Sequence, residues 1–180
     1  MTVCVFCGSG TGNHPAYPDA ARKLGLLLAK ASIDLVYGGG NIGLMGVVAD
    51  AVMENGGRVT GVIPGFLMKR EVGHRGITHL EIVDSMHQRK QRMADLSDAF
   101  IALPGGWGTL EELCEILTWK QLGLIQQPVA LLNIDHFFDP LLTQMRLMVK
   151  EGFLAPRHLE SLKVENTPEN IISSLNTPGA

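Results

Sequence analysis

The sequence predicts an α/β fold, a doubly wound, mostly parallel sheet of six to seven strands with helices on both faces. Short apolar, β-branched runs alternate with longer amphipathic stretches along the whole chain, the mark of successive βαβ units. Hydrophobic residues make up 46% of the chain and charged ones 18%, which suits a core covered on both sides and excludes a disordered tail. The length of 180 residues fits one domain, so residues 1–180 are read as a single unit.

Taken in order, the first strand is expected at residues 3–6, an apolar run that includes Val3, Val5 and Phe6. The next are expected at 35–37, 59–63, 80–83, 99–103 and 129–132, with a weaker one at 162–164. Amphipathic stretches between them predict helices at 18–31, 44–55, 86–96, 109–122 and 138–150, and a short one at 168–175. Gly56 and Gly57 close the second helix, as glycine commonly does at a C-terminus. The polar stretch from Pro64 to His79 carries Lys69, Arg70, Glu71, His74 and Arg75 and is long for a connection in such a fold, which marks it as functional or mobile. Residues 176–180 are expected to fray. Right-handed crossovers make the sheet Rossmann-like, with ligands bound outside the carboxyl ends of the strands where strand order reverses.

Charge and composition narrow the function classes. A formal net charge of −3 supplies no positive field for a long polyanion, so no nucleic-acid partner is expected and any phosphate must be met locally. No stretch is long enough to cross a bilayer and the first residues lack a basic flank or cleavage site, so no membrane partner is expected and the cytoplasm is the anticipated compartment. The 3 cysteines are too few for a disulfide framework. Cys4 and Cys7 form C-x-x-C, but in an extended run whose alternate side chains face opposite ways, so they read as small apolar residues. No cluster with ligand spacing completes a zinc site, and no metal is expected.

Three glycine-rich turns follow strands: Gly8 to Gly12, Gly38 to Gly43, and Pro104 to Thr109. The first has the wrong spacing for G-x-G-x-x-G, and the second strand ends in Tyr37-Gly38 with no acid to hold a ribose. Asp34 stands at the wrong end of that strand, which argues against a dinucleotide. In the third turn, Gly105, Gly106 and Gly108 let main-chain N–H groups approach an anion, and a helix beginning at Thr109 aims its positive end there. The competing reading is a capping box, with Thr109 as N-cap and Glu112 three residues on. A phosphate beside Glu111 and Glu112 requires the glutamates to face another part of the ligand, with the ribose and a water between them.

Arg89 is an independent signal. Met86, Arg89, Met93 and Leu96 fall on one helical stripe, which places a guanidinium on the inward face, where it needs a partner. The alternative is a snorkelling side chain whose head reaches water. Following the fourth strand on the ligand side, Arg89 and Lys90 are candidate clamps for phosphate or carboxylate. The six histidines form no triad or metal pattern and read as solvated or structural. Trp107 could lie against a base or close the pocket, and reads as pocket lining.

These residues resemble the Lonely Guy (LOG) family of cytokinin riboside 5′-monophosphate phosphoribohydrolases, also labelled possible lysine decarboxylases. Its motif P-G-G-x-G-T-x-x-E is met from Pro104 to Glu112, and M-H-x-R-K by Met86 to Lys90. Its early turn resembles Phe6 to Ser9, its G-G-G-x-x-G-x-M-G turn resembles Gly38 to Gly46, and its loop glutamate falls on Glu71. The resemblance implies that Glu71, Arg89, Lys90, Gly106, Trp107, Gly108, Thr109, Leu110, Glu111, Glu112 and Thr118 contact a nucleotide, with Ser9, Met86 and Gly105 beside them. Arg89 and Glu112 would be the catalytic pair. Two departures stand out: Gly10 replaces a common serine, and Trp107 a tyrosine or phenylalanine.

The implied reaction is hydrolysis of the N-glycosidic bond of a nucleoside 5′-monophosphate, AMP or its N6-prenyl form, to free base and ribose 5-phosphate. A general purine-monophosphate nucleosidase and a non-catalytic nucleotide-binding or cofactor-carrier protein are the rival readings. A decarboxylase would need pyridoxal phosphate on a lysine with an acidic partner; the sequence suggests no such arrangement, and no cofactor is expected. The family also implies a homodimer with the base pocket near its interface.

Overall fold

All the expected strands join one parallel sheet, and their carboxyl ends collect the glycine turns. A computed structural model describes residues 1–175; the frayed end expected at 176–180 lies outside the described residues. The strands are β1 (Thr2–Phe6), β2 (Asp34–Tyr37), β3 (Val59–Pro64), β4 (His79–Val83), β5 (Ala99–Ala102), β6 (Val129–Leu132) and β7 (Leu162–Glu165). They lie in the order β4-β3-β2-β1-β5-β6-β7, every neighbouring pair parallel.

The helices are α1 (Ala16–Lys30), α2 (Gly43–Glu54), α3 (Met86–Asp95), α4 (Trp107–Gln121), α5 (Asp139–Lys150), α6 (Pro156–Glu160) and α7 (Pro168–Leu175). Helices α1, α2 and α7 pack Leu24, Leu28, Val48, Val52 and Ile171 on one face of the sheet. Helices α3, α4 and α5 pack Met93, Leu113, Ile116, Leu142 and Met145 on the other. Parallel strands buried on both faces read as continuous apolar runs: in β1 only Thr2 escapes full burial. Cys4 and Cys7 point into the opposite faces' clusters, which rules out a bond between them and leaves them as apolar filling.

Two helix starts and one additional helix depart from expectation for physical reasons. Helix α1 begins at Ala16, two residues early, because Pro18 sits in the first turn, where no N–H partner is lost. Helix α6, not foreseen, opens on Pro156 for the same reason. Helix α4 begins at Trp107 with Gly106 as its N-cap, which bears on the site. Gly56, at φ +75°, closes α2 as expected.

Strand β1 lies between β2 and β5. The chain leaves β1 through α1 on one face and β5 through α4 on the other. The crevice of the doubly wound fold therefore opens above the ends of β1 and β5.

Candidate active site

The glycine turns are locked to each other by main-chain bonds. Leu103 N–H donates to Phe6 O at 2.9 Å, Gly8 N–H to Pro104 O at 3.1 Å, and Leu44 N–H to Gly8 O at 3.0 Å. The last bond occupies the start of α2. The start of α3 is likewise occupied, because Ser85 Oγ accepts from Gln88 N–H at 3.2 Å. Helix α4 differs: its N-cap is Gly106, with no side-chain cap, so its first-turn N–H groups keep their positive ends free.

This geometry corrects the capping-box reading. Thr109 is the third residue of α4 and 3% exposed, and a Cβ on Gly105 would come within 2.1 Å of its Oγ1. Thr109 thus braces the turn, and Glu112 stands free of any capping role. The glycines divide accordingly. Packing demands Gly105, whereas a Cβ on Gly106 or Gly108 would meet nothing within 4 Å and would stand in open space beside the free N–H groups.

Across the cavity, Arg89 is 4% exposed and does not snorkel. Its Nε donates to Val62 O at 3.1 Å, and its Nη2 to Gly38 O at 2.7 Å and to Glu71 Oε2 at 3.1 Å. These bonds tie α3 to the carboxyl ends of β2 and β3 and satisfy Nε and Nη2, leaving Nη1 with only a long contact to Met86 Sδ at 3.9 Å. A guanidinium has five N–H donors in a rigid fork, so the free edge at Nη1 is the one available to a ligand. The approach requires glycine at 38: a Cβ there would lie 2.0 Å from Nη2.

Glu71 reaches Arg89 from the long polar connection. That segment includes a short 3-10 turn at Gly65–Leu67 and is fastened to the second glycine turn. Asn41 N–H donates to Glu71 O and Val72 O at 3.0 and 2.9 Å, and His74 N–H to Gly39 O at 2.8 Å. Val72 is held at φ +48°, unusual for a β-branched residue and worth about 1–3 kcal/mol of strain.

Ser9, Gly38, Met45, Leu67, Glu71, Met86, Arg89, Gly106, Trp107, Gly108, Thr109, Glu111 and Glu112 line one cavity of about 210 Å³ together with Val5, Cys7 and Gly8. An adjoining recess of about 300 Å³ shares Gly8, Ser9 and Gly106 with it and adds Gly105. The pair is within the roughly 300–1,000 Å³ of small-molecule sites. Glu112 lies on the cavity wall, and burial pushes its carboxyl up to about 7 against the opposing pull of Arg89, with Glu111 and Glu71 adding to the rise. A carboxyl poised there can exchange a proton near neutrality. Burial and the nearby Glu112 push the Cys7 thiol far up, so it is not a nucleophile.

Three expected contacts are not brought to this cavity. Lys90 turns away from Arg89 and pairs with Glu111 and, at 3.1 Å, with Glu115. Burial works against its charge, but the two glutamates hold the ammonium above its ordinary range. The lysine thus joins α3 to α4 and offsets Glu111 rather than clamping an anion. Leu110 packs into the core. Thr118 bonds Cys114 O at 2.7 Å and lines a separate apolar groove between α4 and α5. Cys7, Gly8, Gly38 and Met45 belong to turns already marked in the sequence, whereas Val5, Leu67 and the carbonyls of Gly38 and Val62 were missed; the strand-end positions of the two carbonyls were the available signal. No lysine lines the cavity, so it does not fit pyridoxal phosphate held as a Schiff base. Among the described residues no His, Cys, Asp and Glu cluster is suited to a metal, and no helix is long and apolar enough to cross a membrane.

A cytokinin riboside 5′-monophosphate phosphoribohydrolase of Oryza sativa subsp. japonica is 54% identical over 153 residues, covering 85% of this chain and 63% of that protein. One from Arabidopsis thaliana is 49% identical over 173 residues, covering 96% of this chain and 80% of its own length. Among solved structures, the molybdenum cofactor binding protein of the phototrophic bacterium Rippkaea orientalis superposes with a TM-score of 0.71 over 96% of this chain and 93% of that one. At 22% identity it shares the fold alone. The family model described as "Possible lysine decarboxylase" matches residues 45–175, and with that match and those relatives the chain belongs to this family, which includes the LOG phosphoribohydrolases.

Proposed function

We propose that the chain hydrolyses the N-glycosidic bond of nucleoside 5′-monophosphates of the adenine type, cytokinin ribotides among them, releasing the free base and ribose 5-phosphate. The observation that carries this reading is that the uncapped start of α4, Arg89 and Glu112 line one cavity. The free N–H groups of Gly106, Trp107, Gly108 and Thr109 receive the 5′-phosphate, with Ser9 beside them. That anchorage sets the ribose against Glu112. As the C1′–N bond breaks, the sugar gains oxocarbenium character, and the ionised Glu112 stabilises it or takes the proton of the attacking water. The water oxygen bonds C1′ and the departing base takes up a proton. Arg89, pinned by Glu71, offers Nη1 to the ligand.

Phosphate anchorage by main-chain groups supplies binding energy remote from the reacting bond, so adenosine is a poor substrate. The test measures adenine and ribose 5-phosphate released from AMP, adenosine and N6-isopentenyl-AMP. Release from either monophosphate far above that from adenosine is expected; equal rates for AMP and adenosine would refute the reading. The about 50% identity to phosphoribohydrolases favours it over a cofactor carrier, with which only the fold is shared.

The whole of residues 1–180 acts as one domain in this reading, in the cytoplasm and as a homodimer. The dimer is supported by the apolar side chains left exposed just after α4, Leu122 and Leu124. A second copy over that surface would also lie beside Thr118, one turn before Leu122.

A further inference from the structure

We infer that His74 and Asp50 form a positioning pair that holds the Glu71 segment closed on Arg89; the inference rests on the proposed hydrolysis. Neither residue lines the cavity. His74 is 7% exposed, a burial that an imidazole bears only with partners on its nitrogens, and both are satisfied. Gly76 N–H donates to Nδ1 at 3.2 Å, which leaves the proton on Nε2, and Nε2 donates to Asp50 Oδ1 at 2.9 Å. The ring therefore serves as a neutral, two-ended link between α2 and the segment from Gly65 to Thr78.

The link has a target. Its backbone N–H bonds Gly39 O, one residue from the Gly38 carbonyl that accepts from Arg89. Three residues before His74 stands Glu71, the only side chain that forms an ion pair with Arg89 among the described residues. Between them Val72 is kept at φ +48°, a conformation that persists only where the surroundings impose it. The main-chain bonds from Asn41 and to Gly39 fasten one side of the strap; His74 with Asp50 is the side-chain fastening on the other. Release of that fastening lets Val72 relax, carries Glu71 off Nη2, and frees the guanidinium to rotate its open edge away from the ligand.

The test compares wild type, His74→Ala, Asp50→Ala and His74→Gln by two readouts. The first is amide hydrogen exchange. Both alanine variants should exchange residues 65–78 on the order of tenfold faster with the sheet unchanged. The second is AMP hydrolysis. The alanine variants should lose on the order of 10–100-fold in kcat with KM changed far less. His74→Gln, whose amide can donate to Asp50 from nearly the place of Nε2, should recover most of the rate. In a Glu71→Gln background, His74→Ala should cost less than threefold, because its effect passes through Glu71. A kcat within twofold of wild type for His74→Ala, an equal loss in both backgrounds, or faster exchange spread through the sheet would overturn the inference. If wild type releases no base from AMP, the hydrolysis reading fails by itself. Exchange then decides the strap: faster exchange confined to 65–78 upholds it and unchanged exchange overturns it. Asp50 has half its side chain exposed on α2, so Asp50→Ala keeps the test open if His74→Ala fails to fold.

Discussion

Replacing Glu112 by Gln should make the protein more stable at alkaline pH while nearly abolishing turnover. Burial raises the Glu112 carboxyl from its ordinary 4.5 to about 7, so between those values the folded protein keeps a proton that the unfolded chain has released. Folding then binds more protons than unfolding, and wild-type stability falls as pH rises through this window and levels off above about 7. At about 1.4 kcal/mol for each pH unit, the loss amounts to about 3 kcal/mol, an upper bound because the side chain is only partly covered. The neutral amide of Gln escapes that penalty. Urea denaturation of both proteins should therefore give similar stabilities near about pH 4.5 and a gap approaching about 3 kcal/mol in favour of Glu112→Gln near about pH 8. Base release should fall on the order of 10²–10⁴-fold in the same variant. In wild type, kcat/KM should rise with pH through about 7 along a limb that the variant lacks. A variant less stable than wild type at both pH values would refute the reasoning, since that result requires a carboxylate held by favourable contacts rather than strained by burial.

Gly38→Ala should lower kcat/KM on the order of 10²-fold, because the added methyl would lie 2.0 Å from Arg89 Nη2; activity within threefold of wild type would show that the guanidinium can work from elsewhere. Gly108→Ala should hold or slightly raise the melting temperature, since no atom lies within 4 Å of the new methyl and alanine favours the helix by up to about 1 kcal/mol. Its KM for AMP should nevertheless rise on the order of tenfold if the phosphate occupies that space, and an unchanged KM would move the phosphate elsewhere. Arg89→Lys should lose both rate and stability. One ammonium cannot serve Val62 O, Gly38 O and Glu71 together, and each acceptor left unpaired costs about 1–3 kcal/mol, which chemical denaturation would report.

The strands were legible because a parallel strand covered on both faces must be apolar throughout, and β1, β2, β5 and β6 are buried almost without interruption. Helix starts were less so. Thr109 and Glu112 have the spacing of a capping box, yet the cap is Gly106, which has no side chain to announce itself. Arg89 was legible from its stripe, because an arginine on an apolar face has few physical explanations. Its partners were not. Two of them are carbonyls, which every residue carries, so no residue type at 38 or 62 could reveal them; glycine at 38 records the approach only once the distance is known.

Lys90 shows the converse limit. Adjacent residues on a helix project about 100° apart, so Arg89 and Lys90 could not both face one ligand unless the helix end pointed at it. Arg89 faces β2 and β3, and Lys90 faces α4, where Glu111 and Glu115 stand one turn apart. Although Lys90 does not line the cavity, its pairing has a consequence for Glu111. Paired with Lys90, that glutamate brings little net negative charge toward the phosphate end, which eases the repulsion that two adjacent acids beside an anion would otherwise create. Glu112 receives no such partner, and its carboxyl is left to titrate near neutrality. The division of labour between two neighbouring glutamates is thus set from a different helix, by a lysine that need not touch the substrate.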